Sequence, residues 1–183
     1  LSDLPNGRSY RLSIKREAQG RVSRHFHDTL KVGDTLELLP PAGDLTLSEG
    51  SEPVLLASGG VGQTPLLPIA RQALSKGRQV VYLHAAIDRD HHAFRDDLEA
   101  LKRDYPKQLT LVNVHENGFD ADHTGRIDQA LLARYLPGTD TQCYFVGPQG
   151  FMAMMDTALA ALGVADDHRH FEHFGPARPL VAA

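Results

Sequence analysis

Two hydrophobic rhythms divide this chain. In residues 8–17, Tyr10, Leu12 and Ile14 alternate with Arg11, Ser13 and Lys15. That is the period-two pattern of a strand with one wet face, and Gly20 closes it. The segment LSDLPNGRSY before it reads as a strand end followed by a Pro-Asn-Gly turn. Val22, Phe26 and Leu30 recur at intervals of four and predict a short helix over 22–30, with Ser23 near its start. Residues 32–47 read as two short strands broken by Pro40, Pro41 and Gly43, and SEGSEP at 48–53 is a polar joint where a domain boundary is expected.

Past the joint, apolar runs alternate with helical spacing. Strands are predicted at 53–58, 79–85, 109–115, 142–146 and 168–172. Helices are predicted at 64–76 (ended by Gly77), at 91–104 on Phe94, Leu98 and Leu101, at 128–135 (stopped by Pro137 and Gly138) and at 149–162 (ended by Gly163). Strands alternating with helices imply parallel pairing through right-handed crossovers. The expected fold is a five-stranded parallel sheet with helices on both faces over residues 51–183, preceded by a strand-rich piece, 1–50, too short to close a barrel.

Composition narrows the classes. At 183 residues, 42% hydrophobic and 23% charged, the chain has an ordinary globular mix. A net charge of -4 argues against a general nucleic-acid binder. No apolar run reaches the roughly 20 residues of a membrane span. The single cysteine, Cys143, excludes an internal disulfide and suits a reducing cytoplasm. There is no basic, apolar leader at the start, and Leu1 is not an initiator methionine, so the chain is expected to begin inside a longer protein.

Candidate chemistry concentrates in LLASGGVGQTPLLPIA, residues 55–70. Three glycines, Gly59, Gly60 and Gly62, fall between the first buried strand and the first helix of the alternating unit. In open parallel sheets ligands bind beyond the carboxyl ends of the strands, and helix-start amides there attract phosphate. Glycine lets an anion approach the backbone. No Gly-Lys-Ser/Thr follows, so this is not a P-loop; the third position of a dinucleotide fingerprint holds Pro65, suited to a first helical turn. Thr64 offers a hydroxyl beside the pyrophosphate or nicotinamide, and a side chain on Gly62 is expected to stand where the pyrophosphate lies.

Ser58 lies outside any Gly-x-Ser-x-Gly elbow and is either a cofactor-facing hydroxyl or a satisfied strand end. Of ten histidines, His168 and His170 share a strand face and His173 falls on the other, so no metal site is expected. His25 and His27 point apart around Phe26, and His91 and His92 are expected in solvent. Asp96, Asp97 and Glu99 make a solvated helix face, and Met155 is core.

SGGVGQTP resembles the pyridine-nucleotide loop of the ferredoxin–NADP reductase superfamily. YFVGPQGFM (144–152) resembles that superfamily's Cys-Gly-Pro-x-x-Phe-Met segment. HFEHFGP (170–176), LSDLPNGRSYRLSIKRE (1–17) and HAAIDRDHHAF (84–94) are similar to runs in flavohaemoglobins. The resemblance covers nearly the whole chain. It implies the C-terminal part of an FAD-binding antiparallel β-barrel (1–50), then an NAD(P)-binding α/β domain (51–183), in a longer protein with a globin domain ahead. The activity implied is hydride transfer from NAD(P)H to FAD and electrons onward to haem, as in nitric oxide dioxygenase.

By the same resemblance, Gly59, Gly60, Val61, Gly62, Gln63 and Thr64 bind the pyrophosphate and nicotinamide of NAD(P)H. Gly147 and Pro148 turn the chain beside the nicotinamide. Gly20, Val22 and Ser23 match a Gly-x-Val-Ser that meets the flavin pyrophosphate. His173, Gly175 and Pro176 line the flavin, Phe174 packs on its ring, and Glu172 tunes electron transfer. Haem would sit only in the upstream globin.

Three departures are visible. The family's Arg-x-Tyr-Ser flavin motif is absent. Its cysteine before Gly-Pro is Val146 here, and Cys143, at odd separation, should face the other side of the strand. Ala85 and Ala86 stand where a ribose-binding acid is expected; Asp88 favours NADH, and Arg89 suits a 2′-phosphate. Two other readings stay open: a reductase serving another acceptor, and a coenzyme-binding module without flavin.

Overall fold

The computed structural model describes residues 1–174. Its centre is strand β1, Val54–Gly59, in which every residue is buried. Such a strand has to be covered on both faces. Val54 and Leu56 enter one apolar cluster and Leu55 and Ala57 the other. Each fully buried leucine contributes about 1.5–3 kcal/mol.

Helix α2, Gln63–Ser75, follows, then β2, Val80–Ala86, and α3, Arg95–Asp104. Strand β3 is Leu109–His115, and β4 is the two-residue His123–Thr124. Helix α4, Gln129–Tyr135, leads to β5, Gln142–Val146; α5, Gln149–Ala161, leads to β6, Arg169–Phe171. The helix α1, Arg21–Asp28, precedes all of these.

The sheet order is β4-β3-β2-β1-β5-β6, with every pair parallel. The chain runs outward from β1 to β4, then returns to lay β5 against the other side of β1. Leu66, Leu67, Leu74, Leu98 and Leu101 from α2 and α3 fill one face. Leu132, Met152, Met155 and Leu159 from α4 and α5 fill the other. This is the expected three-layer α/β architecture, with six strands instead of five. The extra strand, β4, is two residues long and pairs with Val114 and His115 of β3, so it carries no readable periodicity.

Local signals hold in most places. The Asp128 side chain caps α4 by accepting from Leu131 N at 2.8 Å. Gly77 and Gly163, at φ 80° and 86°, follow α2 and α5 as left-handed terminators. The helix expected over 91–104 is split. Asp88 accepts from His91 N and caps a separate turn, Arg89–His91, and Phe94 at φ 55° breaks the path before α3. Asp97 is not merely solvated: it receives Arg71 at 2.6 Å and Arg11 at 3.3 Å.

Residues 1–50 depart from expectation. The strands read at 8–17 and 32–47 are not formed among the described residues. Short strands without sheet neighbours are marginal in water. What survives is a fragment of pairing: Ser2 N donates to the Arg11 carbonyl at 2.9 Å, and Ser2 and Ser13 hydroxyls meet at 2.8 Å. The Pro-Asn-Gly turn is present, with Asn6 Oδ1 accepting from the Arg8 and Ser9 amides and Gly7 at φ 70°. Helix α1 buries no residue. The joint 48–53 is pinned to the sheet domain: Ser48 N donates to the Tyr144 hydroxyl at 2.7 Å, and Arg78 reaches the Glu52 and Ser48 carbonyls at 2.7 and 2.9 Å. Among the described residues no helix is long and apolar enough to cross a membrane.

Candidate functional site

The strand order reverses direction between β1 and β5, and the carboxyl ends of these two strands meet there. Such a switch point is where open α/β sheets bind ligands. Two glycines let the backbones close. A Cβ on Gly147 would stand 3.2 Å from the Gly59 Cα and 2.6 Å from the Phe151 ring. A Cβ on Gly59 would stand 3.1 Å from Pro148 and 3.5 Å from Phe151. Phe151 packs on the second apolar cluster and lies against the two glycines.

Beyond Gly59 the chain makes a tight turn, Gly60–Gly62, that runs straight into α2. No side chain caps the turn or the helix. Gly60 has φ 54°, and a Cβ built on it would meet nothing within 4 Å. It is a left-handed position facing open space, which is what close approach of an anion to the backbone needs. Gly62 is different. Its φ is -57°, and its missing Cβ would fall on the Val146 carbonyl. Its smallness serves the packing of the helix start on β5, the task expected of a third fingerprint glycine. A side chain on Gly62 would therefore meet Val146 and not the space expected for the pyrophosphate.

Gln63 and Thr64 are buried, while Gly60 and Val61 are half-exposed. Pro65 lies in the first turn of α2, as expected, and a second proline, Pro68, sits inside the helix. Lacking an N–H, Pro68 leaves the Thr64 carbonyl without its usual helical partner. Cys143 belongs to the second cluster and Val146 to the first, so the two do face opposite sides of β5. Burial pushes the Cys143 thiol up to about 12, with Arg169 partly opposing.

The loop after β2 is internally paired. Asp88 accepts from His91 Nδ1 at 2.6 Å, and this bond holds its carboxyl below the usual range. Arg89 stands 3.7 Å from Asp120. The Ser58 hydroxyl is bonded to His84 Nδ1 at 2.7 Å. His92, expected in solvent, is 7% exposed and joins that buried group; only His91 is in water.

Other expected residues gather elsewhere. Glu172 and His173 follow β6, whose pairing Phe145↔Phe171 aligns them with the end of β5. The Glu172 carboxylate lies against Gly43, at φ 110°, where a Cβ would collide with it. His173 meets Phe171 edge-on at 5.7 Å, and Phe171 stacks on Phe145 at 5.4 Å. Phe174 is 54% exposed. Gly175 and Pro176 lie outside the described residues. Gly20 precedes α1 at its N-cap, and Val22 and Ser23 stand on the helix, whose bonds run to residues 14–17: His27 to the Ile14 carbonyl, Arg16 to Asp28, and Ser23 Oγ accepting from Glu17 N.

A parallel sheet with a glycine turn at its switch point has the architecture of a nucleotide-binding α/β domain. Residues 56–157 match the family model described as oxidoreductase NAD-binding domain. The chain is 46% identical to a flavohaemoprotein of Pseudomonas putida over 98% of this chain, and 41% identical to one of Pseudomonas aeruginosa over 100% of it. It spans 47% of the length of either relative. Among solved structures, the flavohaem-like FAD/NAD-binding domain of nitric oxide dioxygenase from Vibrio cholerae superposes with a TM-score of 0.88 at 36% identity, over 96% of this chain and 76% of that one. A flavohaemoglobin from Malassezia yamatoensis, with a TM-score of 0.79 at 24% identity over 88% of this chain and 43% of that one, shares the fold. The chain belongs to the oxidoreductase NAD-binding domain family, in its flavohaemoglobin FAD/NAD-binding branch.

Proposed function

We propose that this chain is the coenzyme-binding part of a reductase that takes hydride from NAD(P)H for FAD and sends electrons on to the haem of a globin domain in the same protein, as in nitric oxide dioxygenase. The observation that carries the reading is the pair of crossing glycines, Gly59 and Gly147, beside an open left-handed Gly60 at the switch point. The relatives named flavohaemoproteins support the rest. A cytoplasmic location and a division near residue 50 belong to the same proposal.

The residues fit a dinucleotide. The turn Gly60–Gly62 would hold the diphosphate on its backbone, with Val61 half-exposed beside it and Gln63 and Thr64 anchoring the helix behind. Gly147 and Pro148 would bound the nicotinamide, and Phe151 fixes their spacing. Bound NAD(P)H supplies the hydride; the protein supplies orientation and a water-poor wall. For the flavin, Phe174 offers a half-exposed ring and Glu172 a carboxylate at the end of β6. NADH is the favoured coenzyme. Asp88 is bonded to His91 and, among the described residues, to no lysine or arginine, whereas Arg89, which a 2′-phosphate would need, already faces Asp120.

A second reading has one observation behind it: residues 1–50 form no strand among the described residues, which favours a chain that binds coenzyme without flavin. Purification in the presence of FAD separates the two. A yellow protein supports the reductase reading, and a colourless protein that titrates with NADH supports the second. The coenzyme site itself is tested by calorimetry. Gly60→Val should weaken NADH binding at least tenfold with the fold retained by circular dichroism, and unchanged affinity would contradict the assignment.

A further inference from the structure

Behind the glycine turn lies a buried polar chain that coenzyme binding does not by itself require. Ser58 and His84 are register partners on β1 and β2, and their side chains meet at 2.7 Å. The His84 ring lies on the His92 ring, with centroids 4.4 Å apart. His92 Nδ1 is 3.3 Å from His115 Nε2, and His115 Nδ1 is 3.2 Å from Asp120, which faces Arg89 at 3.7 Å. Ser58, His84 and His115 are within 1% of full burial. The chain thus begins one residue before the Gly59 crossing and ends at the exposed rim beyond β2 and β3.

Chemistry fixes the protons along it. A carboxylate only accepts, so His115 donates from Nδ1 to Asp120, and as the neutral ring it presents a bare Nε2. His92 must then donate from Nδ1, which leaves its own Nε2 bare. That atom is buried without a partner, as is Nε2 of His84. A buried N–H without an acceptor is costlier than a bare ring nitrogen, so His84 also carries its proton on Nδ1 and donates to Ser58. The Ser58 hydroxyl is then free to turn toward the Tyr82 hydroxyl, a buried neighbour that closes no well-aligned hydrogen bond of its own. His84 and His92 are neutral in this scheme. Burial first, and mutual repulsion second, hold His84 and His92 in that form, with Arg95 opposing and Asp120 favouring a charge on His92.

We infer that Ser58, His84, His92, His115 and Asp120 form a positioning relay of fixed tautomers that sets the mouth of the glycine turn and the Arg89–Asp120 rim as one unit. The inference rests on the coenzyme reading above. If the diphosphate lies on Gly60 and the ribose end lies past β2, the relay links the two ends of one ligand. Ser58 and the histidines act through the backbone they hold and do not touch the reacting atoms.

The test uses NADH, calorimetry and imidazole ¹⁵N spectra of the intact chain. His84, His92 and His115 are expected as Nδ1–H tautomers, and saturating NADH should shift the His84 and His92 rings. Ser58→Ala should loosen NADH binding by about two- to tenfold, the range of one hydrogen bond, and Ser58→Thr should restore it. Nε2–H tautomers at His92 or His115 overturn the relay. So do unmoved rings in a protein that calorimetry shows to be loaded, and these leave the coenzyme site standing. Should NADH fail to bind the wild-type chain at all, the coenzyme reading falls and the relay with it. The spectra of the wild type decide even where Ser58→Ala does not fold.

Discussion

The backbone of Gly62 rests directly on the carbonyl of Val146, with no room for a Cβ between them. The obstacle is main chain at the end of β5, so it cannot swing aside as a side chain would. Gly62→Ala is therefore expected to destabilise the domain by about 1–3 kcal/mol or more, the usual cost of overpacking. Urea midpoints would show it. Gly60→Ala meets no atom and carries only the strain of a left-handed residue, about 1–2 kcal/mol. Equal losses at the two positions would contradict this division of labour.

Arg78 is 2% exposed, and its guanidinium holds two carbonyls of the joint, at Glu52 and Ser48. Charged hydrogen bonds of this kind contribute about 1.5–3 kcal/mol each. Arg78→Ala should lower unfolding free energy by about 3 kcal/mol and open the bonds 48–53 to limited proteolysis. Cleavage at the wild-type rate would show that the joint is held by something else.

Stability should fall as pH drops below the ordinary histidine range. Unfolded histidines gain protons near pH 6.5, while burial keeps His84 well below that value and holds His92 at about 4. The unfolded state then binds more protons. Each such histidine removes up to about 1.4 kcal/mol per pH unit, starting at 6.5 and, for His92, levelling off below about 4. Urea unfolding at pH 7.5, 6.5 and 5.5 should show the decline, and His92→Phe should make it shallower. A flat profile would mean that these imidazoles are hydrated.

Cys143 is fully buried, with its thiol pushed up to about 12. The thiolate is the reactive form. Iodoacetamide at pH 8 should leave the folded chain unlabelled and modify it fully in urea. Rapid labelling of the native protein would place the thiol at the surface.

Much of the sheet domain was legible because β1 is apolar on both faces and each crossover helix has a clear stop. Gly77, Gly163 and the Asp128 cap act locally, so they read locally. The strands of 1–50 were read from alternation that was real, but alternation says nothing about whether a neighbour is present to pair. The two-residue β4 is made by its partner and leaves no pattern. Gly62 was assigned to the ligand because spacing cannot tell a glycine that faces solvent from one that faces Val146; only φ and the neighbouring carbonyl do. The histidine chain was missed because His84, His92 and His115 come from two strands and a loop. One signal was available: in a parallel pair aligned from Val54↔Val80, Ser58 falls opposite His84.

Amide mapping by ¹H–¹⁵N spectroscopy during titration with NADH tests the central claim most directly. The largest shifts are expected at Gly60, Val61, Gly62 and Gly147, at the switch point between β1 and β5. Shifts centred on another surface, or none at saturating NADH, would contradict it.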